Sequence, residues 1–223
     1  GFAQASDQDF ASIRQIAHEV HGPIICSLAR CQNGDIETTA RALEGAERSR
    51  IHIFIATSPL HREFKLAMSK QQVIDNAVAG VIHARRYFED VEFSAEDAMR
   101  TEPDYLAEVL TAVIAAGAKT VNIPDTVGYT SPAEMFERIS FIKNHVRNID
   151  DAVISVHCHN DLGMAVANSL AAVSAGARQV ECTLTGIGER AGNAALEEVV
   201  MAIKTRKELY GVETGIHTQR LYP

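Results

Sequence analysis

The chain has little of what marks several large classes of protein. Its 223 residues hold four cysteines, Cys26, Cys31, Cys158 and Cys182, with no C-x-x-C pair. That is too few for a disulfide framework at this length, so they read as reduced core thiols. Positive charge is also short: 21 Lys and Arg against 29 Asp and Glu give a formal net charge of −8. A nucleic-acid surface would need a basic patch opposing this field, and no stretch supplies one, so nucleic acid is not expected as a partner. No run approaches the roughly 18 apolar residues of a membrane helix, and Gly1-Phe2-Ala3-Gln4 opens no charged-then-apolar targeting signal. A cytoplasmic location without a membrane partner is the expectation. Composition is otherwise ordinary, 46% hydrophobic and 22% charged, which excludes disordered and fibrous classes. At roughly 150 residues per domain, the length suits one large domain.

Short β-branched apolar runs alternate with longer segments of helical period, six times over. Strands are expected at 23–30, 50–58, 90–96, 120–125, 152–159 and 179–185, and helices near 7–20, 35–47, 70–87, 103–116, 131–147, 163–175 and 194–210. Thr130-Ser131-Pro132 with Glu134 places an N-cap and a first-turn proline, and Gly117 and Gly176 look like helix stops. Such alternation means parallel strands joined by crossover helices.

An open doubly wound sheet buries both faces, and its strands read as continuous apolar runs. Here one face is polar. Glu92, Ser94 and Glu96 alternate with Val91, Phe93 and Ala95; Ser155, His157 and His159 alternate with Ile154, Val156 and Cys158. Glu181, Thr183 and Thr185 alternate in the same way with Val180, Cys182 and Leu184. A polar lumen inside an apolar outer face fits an α/β fold of the TIM (β/α)8-barrel type, whose site gathers at the C-terminal strand ends. Six units are visible where eight are needed, and complete barrels run to about 250 residues. Residues 1–223 therefore read as a barrel domain lacking its first two strands.

The sharpest motif is His157-Cys158-His159-Asn160-Asp161. A spacing of two on a strand points both imidazoles to one side, where they can share a divalent ion, and turns Cys158 away. Two histidines hydrogen-bonded in a polar barrel mouth would show the same spacing; the position at a strand end favours a metal, with an oxygen donor still to be found. Thr185-Gly186-Ile187-Gly188-Glu189-Arg190-Ala191-Gly192-Asn193 resembles a phosphate cradle, with glycines for close backbone approach and Arg190 for charge. Its glycine spacing fails the dinucleotide fingerprint, and a plain turn capped at Asn193 is the simpler alternative.

Glu96, at the end of its strand, suits a base or a water-orienting group, and Ser94 on the same face suits a carboxylate ligand. Asp97 reads as a cap or a supporting acceptor. In Asn122-Ile123-Pro124-Asp125-Thr126-Val127-Gly128, Thr126 is placed to donate to a bound acid, although the segment alone reads as a Pro-Asp turn. His52 shares an inward face with Phe54 and Ala56, while His18, His21, His61, His83, His145 and His217 read as solvated.

Together, Ile51 to Pro59, Val91 to Asp97, Asn122 to Gly128, His157 to Gly163 and Gly186 to Asn193 resemble the isopropylmalate and homocitrate synthase family of metal-dependent Claisen-condensing barrels, in order along the whole chain. The I-A-T-S-P and F-S-A-E-D segments narrow the resemblance toward isopropylmalate synthases. It implies condensation of acetyl-CoA with 2-oxoisovalerate and water to give 2-isopropylmalate and CoA, the first step toward leucine. It makes His157, His159 and Asn193 metal ligands for manganese, zinc or magnesium. It makes Glu96 and His52 the polar groups around the reacting centre, and Ser94, Thr126 and His52 the keto-acid contacts. Gly186, Gly188 and Arg190 fall on the acetyl-CoA side.

The resemblance also implies a homodimer for the full-length protein. The family's Arg-Asp-Gly segment, with one more metal ligand, and its C-terminal linker and regulatory domain have no counterpart in this chain. Thr185 stands where the family has Asn, and Ala3 where it has Pro. An unclosed barrel exposes sheet edges, so this polypeptide alone is expected to be inactive and poorly stable. Citramalate and homocitrate synthases, a non-catalytic metal-binding barrel and, more distantly, a nucleotide-dependent oxidoreductase are the alternatives.

Overall fold

A computed structural model describes residues 1–221. Six parallel strands, β1 (Ile25–Arg30), β2 (Ser49–Ala56), β3 (Val91–Glu96), β4 (Thr120–Asp125), β5 (Val153–Cys158) and β6 (Gln179–Glu181), pair in exactly sequential order. A doubly wound sheet would reverse its order at a switch point. Sequential order with helices on one face instead curls the sheet as a barrel wall, so the α/β barrel reading holds. Gly1 and Phe2 run beside β1: Leu28 N donates to Gly1 O at 2.8 Å, and Phe2 bridges Leu28 in parallel.

The helices are α1 (Asp7–Glu19), α2 (Asn33–Leu43), the single turn α3 (Pro59–His61), α4 (Lys70–Ala84), α5 (Pro103–Ala115), α6 (Pro132–His145), α7 (Ala165–Ala175), α8 (Leu196–Thr205) and the short α9 (Lys207–Tyr210). Local chemistry sets several of their ends. Ser131 and Glu134 form a reciprocal capping box before Pro132 in the first turn of α6, and Ser69 with Gln72 does the same for α4. Gly176, at φ +122°, closes α7 in a conformation that a Cβ would strain.

The outward residues of the strands, Ile51, Ile53, Val91, Phe93, Val121, Ile123 and Val156, are fully buried against helix residues such as Val73, Leu106, Leu110 and Ile139. Each such side chain contributes about 1.5–3 kcal/mol on burial. This outer core frees the inner face for polar groups, and so the site can be built there without weakening the fold.

Three local expectations fail. The last strand was expected to reach 185 but stops at Glu181: Leu184–Gly186 form a 3-10 turn with Thr185 at φ 58°, and only Thr183 is tied back, by a bridge to Ala195. Pro124-Asp125 is not a turn but the end of β4, paired with His157 and Cys158; the proline lies beyond Asn122, where the ladder between β3 and β4 ends, so β4 has a neighbour on one side only at this point. The final helix breaks at Arg206 (φ −114°, ψ 39°) instead of running to 210. Among the described residues no helix is long and apolar enough to cross a membrane.

Candidate active site at the strand ends

The inner face has two storeys. Below, Arg50 bonds Asp90 Oδ2 at 2.9 Å, Glu92 Oε2 at 3.1 Å and Gln179 Oε1 at 2.6 Å. Gln179 in turn donates to Glu92 Oε1 at 2.7 Å and to Ser155 Oγ at 2.9 Å. Burial, reinforced by the charge of Glu181 and opposed by Arg50, pushes the Glu92 carboxyl up to about 7.

Above lies a cavity of about 280 Å³ lined by Cys26, Leu28, His52, Phe54, Ser94, Glu96, Asn122, Pro124, Thr126, His157 and Glu181. A larger hollow of about 920 Å³ opens among Glu37, Thr38, Arg41 and Tyr87 on the helical exterior. It gathers no converging set of buried polar groups, so the smaller, inner cavity is the candidate site.

The two histidines of the H-x-H motif converge. Their Nε2 atoms are 3.3 Å apart, a separation compatible with one ion about 2.0–2.1 Å from each. Asn193 faces His159 across an antiparallel bridge, and its Oδ1 is buried without a partner, as is His159 Nδ1. A buried carbonyl oxygen without a donor beside two converging imidazoles is what a cation site requires, so the residues fit a divalent ion. Burial, with the charges of His157 and Arg190 added, lowers the His159 pKa and keeps the ring neutral for ligation.

A second trio of donor atoms, on Cys26, His52 and Glu92, lies within 4.8 Å. Here the carboxylate is taken by Arg50 and Gln179, and His52 sits between Ser94 Oγ at 2.8 Å and Glu181 Oε1 at 3.3 Å. Two of the three donors, on Glu92 and His52, are thus already engaged.

Around the cavity, Ser94 Oγ accepts from Asn122 Nδ2 at 2.7 Å, and Thr126 Oγ1 accepts from Asp97 N at 3.0 Å. Glu96 reaches the mouth, where Lys65 Nζ meets its two oxygens at 2.7 and 2.9 Å. The structure thus brings His52, Ser94, Glu96, Thr126 and His157 to one cavity, with His159 and Asn193 beside it.

The glycine loop makes different contacts. Gly188 packs on Asn193, whose Nδ2 lies 2.6 Å from where a Cβ would stand, and Asn193 N donates to Gly186 O at 2.9 Å. Arg190 is bound to Asp161 at 2.7 and 2.8 Å and to Thr126 O at 3.0 Å. The loop braces Asn193. Asn193 does not cap a helix, since α8 begins three residues later, at Leu196.

Some expectations are corrected here. Cys26 is not a core thiol but reaches solvent through the lumen, and Cys31 and Cys182 are half-buried; only Cys158 is core. β1 alternates inward and outward, which turns Cys26 to the cavity. His61 and His83 are not solvated. His61 Nδ1 lies 3.0 Å from Ser58 Oγ and 3.1 Å from Asp97 Oδ2, and buried His83 pairs with Glu37 at 3.2 Å. Sequence reasoning named Glu181 only as one polar residue among three on its strand. It proves central, with oxygens 3.3 Å from His52 and 2.8 Å from His157. Its inward position beside Val180 was the available signal.

Parallel wall, outer helices and a histidine-carboxylate site at the C-terminal strand ends define the class: an α/β barrel of the TIM type with a candidate cation centre in its mouth. The chain belongs to the HMGL-like family, whose model matches residues 1–223. It is 57% identical over 223 residues to the 2-isopropylmalate synthase of Rhodopirellula baltica and 56% identical to that of Aquifex aeolicus. Each match takes in 100% of this chain but 42% and 43% of those relatives, so the chain spans less than half their length. Among solved structures, hydroxymethylglutaryl-CoA lyase from Pseudomonas aeruginosa shares the fold, with a TM-score of 0.75 at 20% identity over 96% of this chain and 70% of the lyase.

Proposed function

We propose that this chain is the barrel portion of a 2-isopropylmalate synthase, which joins acetyl-CoA to 2-oxoisovalerate. The observation that carries this reading is the pair of Nε2 atoms of His157 and His159, 3.3 Å apart beside a mainly apolar cavity into which a few polar side chains reach. The likeness to synthases of that name supports it. His157, His159 and Asn193 are assigned as ligands of a divalent ion, which when bound supplies Lewis-acid polarisation of a keto carbonyl.

Ser94 and Thr126 are assigned to orient the keto acid, and Leu28, Phe54 and Pro124 to meet its branched alkyl end. No lysine or arginine is among the residues lining the cavity, which disfavours a second substrate carboxylate such as that of 2-oxoglutarate. Glu96 takes a methyl proton from acetyl-CoA. Both groups start engaged: His52 faces partners at both ring nitrogens, and Glu96 must release Lys65 Nζ before it can take the proton. The enolate carbon bonds to the keto carbon as the C=O π pair moves onto oxygen, which takes up the proton held by Glu96 and becomes the hydroxyl; water then cleaves the thioester, its oxygen entering the new carboxylate while its proton leaves with CoA as the thiol. Gly186, Gly188 and Arg190 are assigned to the acetyl-CoA side, where Arg190 must exchange Asp161 for a phosphate. A cytoplasmic homodimer serving leucine synthesis is the corresponding reading of the full-length protein.

The test is CoA-thiol release by the full-length protein with acetyl-CoA and 2-oxoisovalerate, pyruvate or 2-oxoglutarate, with and without chelator. Release with 2-oxoisovalerate that chelator abolishes is the expected result. Faster release with pyruvate would make it a citramalate synthase, and none with any acid would leave a non-catalytic barrel.

A further inference from the structure

Glu181 ends β6 on the lumen side, and its two carboxylate oxygens face two different imidazoles: Oε1 lies 3.3 Å from His52 Nδ1 and Oε2 lies 2.8 Å from His157 Nδ1. An ionised carboxylate only accepts, so each Nδ1 it serves must carry the proton. The opposite nitrogens agree with this. His52 Nε2 is 2.8 Å from Ser94 Oγ, which already accepts from Asn122 Nδ2 at 2.7 Å and is left with a hydroxyl proton to give. A bare His52 Nε2 takes it. His157 Nε2 points at His159 Nε2, where a bare lone pair is what a cation needs. His157 Nδ1 is buried without a well-aligned hydrogen bond, and Glu181 is the acceptor at contact distance.

We propose that Glu181 is a positioning residue, a single carboxylate that fixes the Nδ1–H tautomer of both His52 and His157 and so presents bare Nε2 atoms to Ser94 and to the cation. The cation half of this rests on the functional reading above; the tautomer half stands on the geometry alone. It couples two strands, since a group that reorients one ring must disturb the other. Carboxylates behind metal-bound histidines act in this way generally, and losing one typically costs 10–100-fold in metal affinity.

The substitution E181Q keeps the shape but offers one acceptor and one donor in place of two acceptors, so one of the two rings must move its proton to Nε2. The experiment uses the full-length protein labelled with 15N-histidine. Solid-state 15N spectra of metal-free protein report the tautomers, and Mn(II) titration followed by electron paramagnetic resonance reports affinity. In the parent, His52 and His157, identified through H52N and H157N spectra, are both expected as Nδ1–H. E181Q is expected to show one new Nε2–H signal and a 10–100-fold weaker affinity for Mn(II). E181D retains two acceptors and is expected to keep both Nδ1–H signals with a smaller loss.

Unchanged tautomers in E181Q, or equal losses of affinity in E181D and E181Q, would overturn the assignment in favour of simple packing. These readouts need no turnover. A parent without CoA release but with the expected tautomer shift would therefore sink the synthase reading and leave Glu181's role standing.

Discussion

The two storeys of the lumen use the same kinds of side chain and treat them oppositely. On the floor, Arg50, Glu92, Gln179 and Ser155 satisfy one another, and only one oxygen of Asp90 lacks a partner. At the mouth, Asn122 Oδ1 on β4, His159 Nδ1 just past the end of β5 and Asn193 Oδ1 in the loop before α8 are buried and unpartnered. Buried polar atoms without partners cost about 1–3 kcal/mol each, so a fold retains them where something else is to be bound. The contrast separates polar groups that hold the barrel from those left unpaired at the strand ends.

Breaking the floor has the largest expected effect. R50M leaves Asp90 and the buried Glu92 without their shared cation, and loss of one partner of a buried pair costs about 3–5 kcal/mol. Denaturant unfolding of the full-length protein checks this, and a loss under about 1 kcal/mol would erase the distinction. At the mouth the expected pattern is reversed. H159Q should lower CoA release by about two orders of magnitude, the usual cost of removing one group that stabilises developing charge, while unfolding the metal-free protein much less than R50M does.

A pH experiment sharpens the comparison further. The folded pKa of Glu92 is raised from 4.5 to about 7, so the folded state binds its proton more tightly than the unfolded chain does. The carboxyl's stabilising contribution is then full below about pH 4.5 and is lost as pH rises toward 7. E92Q should therefore gain stability relative to the parent across that window and hold the gain above it. His52 and His159 act with the opposite sign. Burial lowers both, so stability falls as pH drops below about 6.5, equally in both proteins. Thermal midpoints of E92Q and the parent between pH 4.5 and 8 give the difference directly, and a flat difference would mean Glu92 does not titrate as described.

The smallest effect belongs to Thr185, a β-branched residue at φ 58° just before the glycine loop. Asn tolerates this region far better, so T185N should stabilise by about 1 kcal/mol. No change in the unfolding midpoint would show that the bond from Thr185 N to Glu197 already compensates for the strain.

Much of this was legible in the sequence, for identifiable reasons. The strict alternation of Glu92, Ser94 and Glu96 with Val91, Phe93 and Ala95 forces one polar face, because successive side chains on a strand point to opposite sides. The H-x-H spacing put two imidazoles together by the same rule. The role of Glu181 was not legible. Its partners His52 and His157 sit on β2 and β5, and only the curl of the sheet brings β6 close to β2. The glycine loop read as a phosphate cradle on its own residues, whereas the contacts of Gly186, Gly188 and Arg190 run to Asn193, Asp161 and Thr126, residues that spacing alone does not bring together.

The sequence by itself determined the elements, their parallel order and which face of each strand is polar, since these follow from side-chain periodicity and helix-end chemistry acting over a few residues. Tertiary structure alone decided which polar groups are spent on one another and which remain open. That division depends on distances between strands that the chain reaches only when the sheet curls, and in the low dielectric of the lumen a difference of an ångström separates a satisfied pair from an unpaired one.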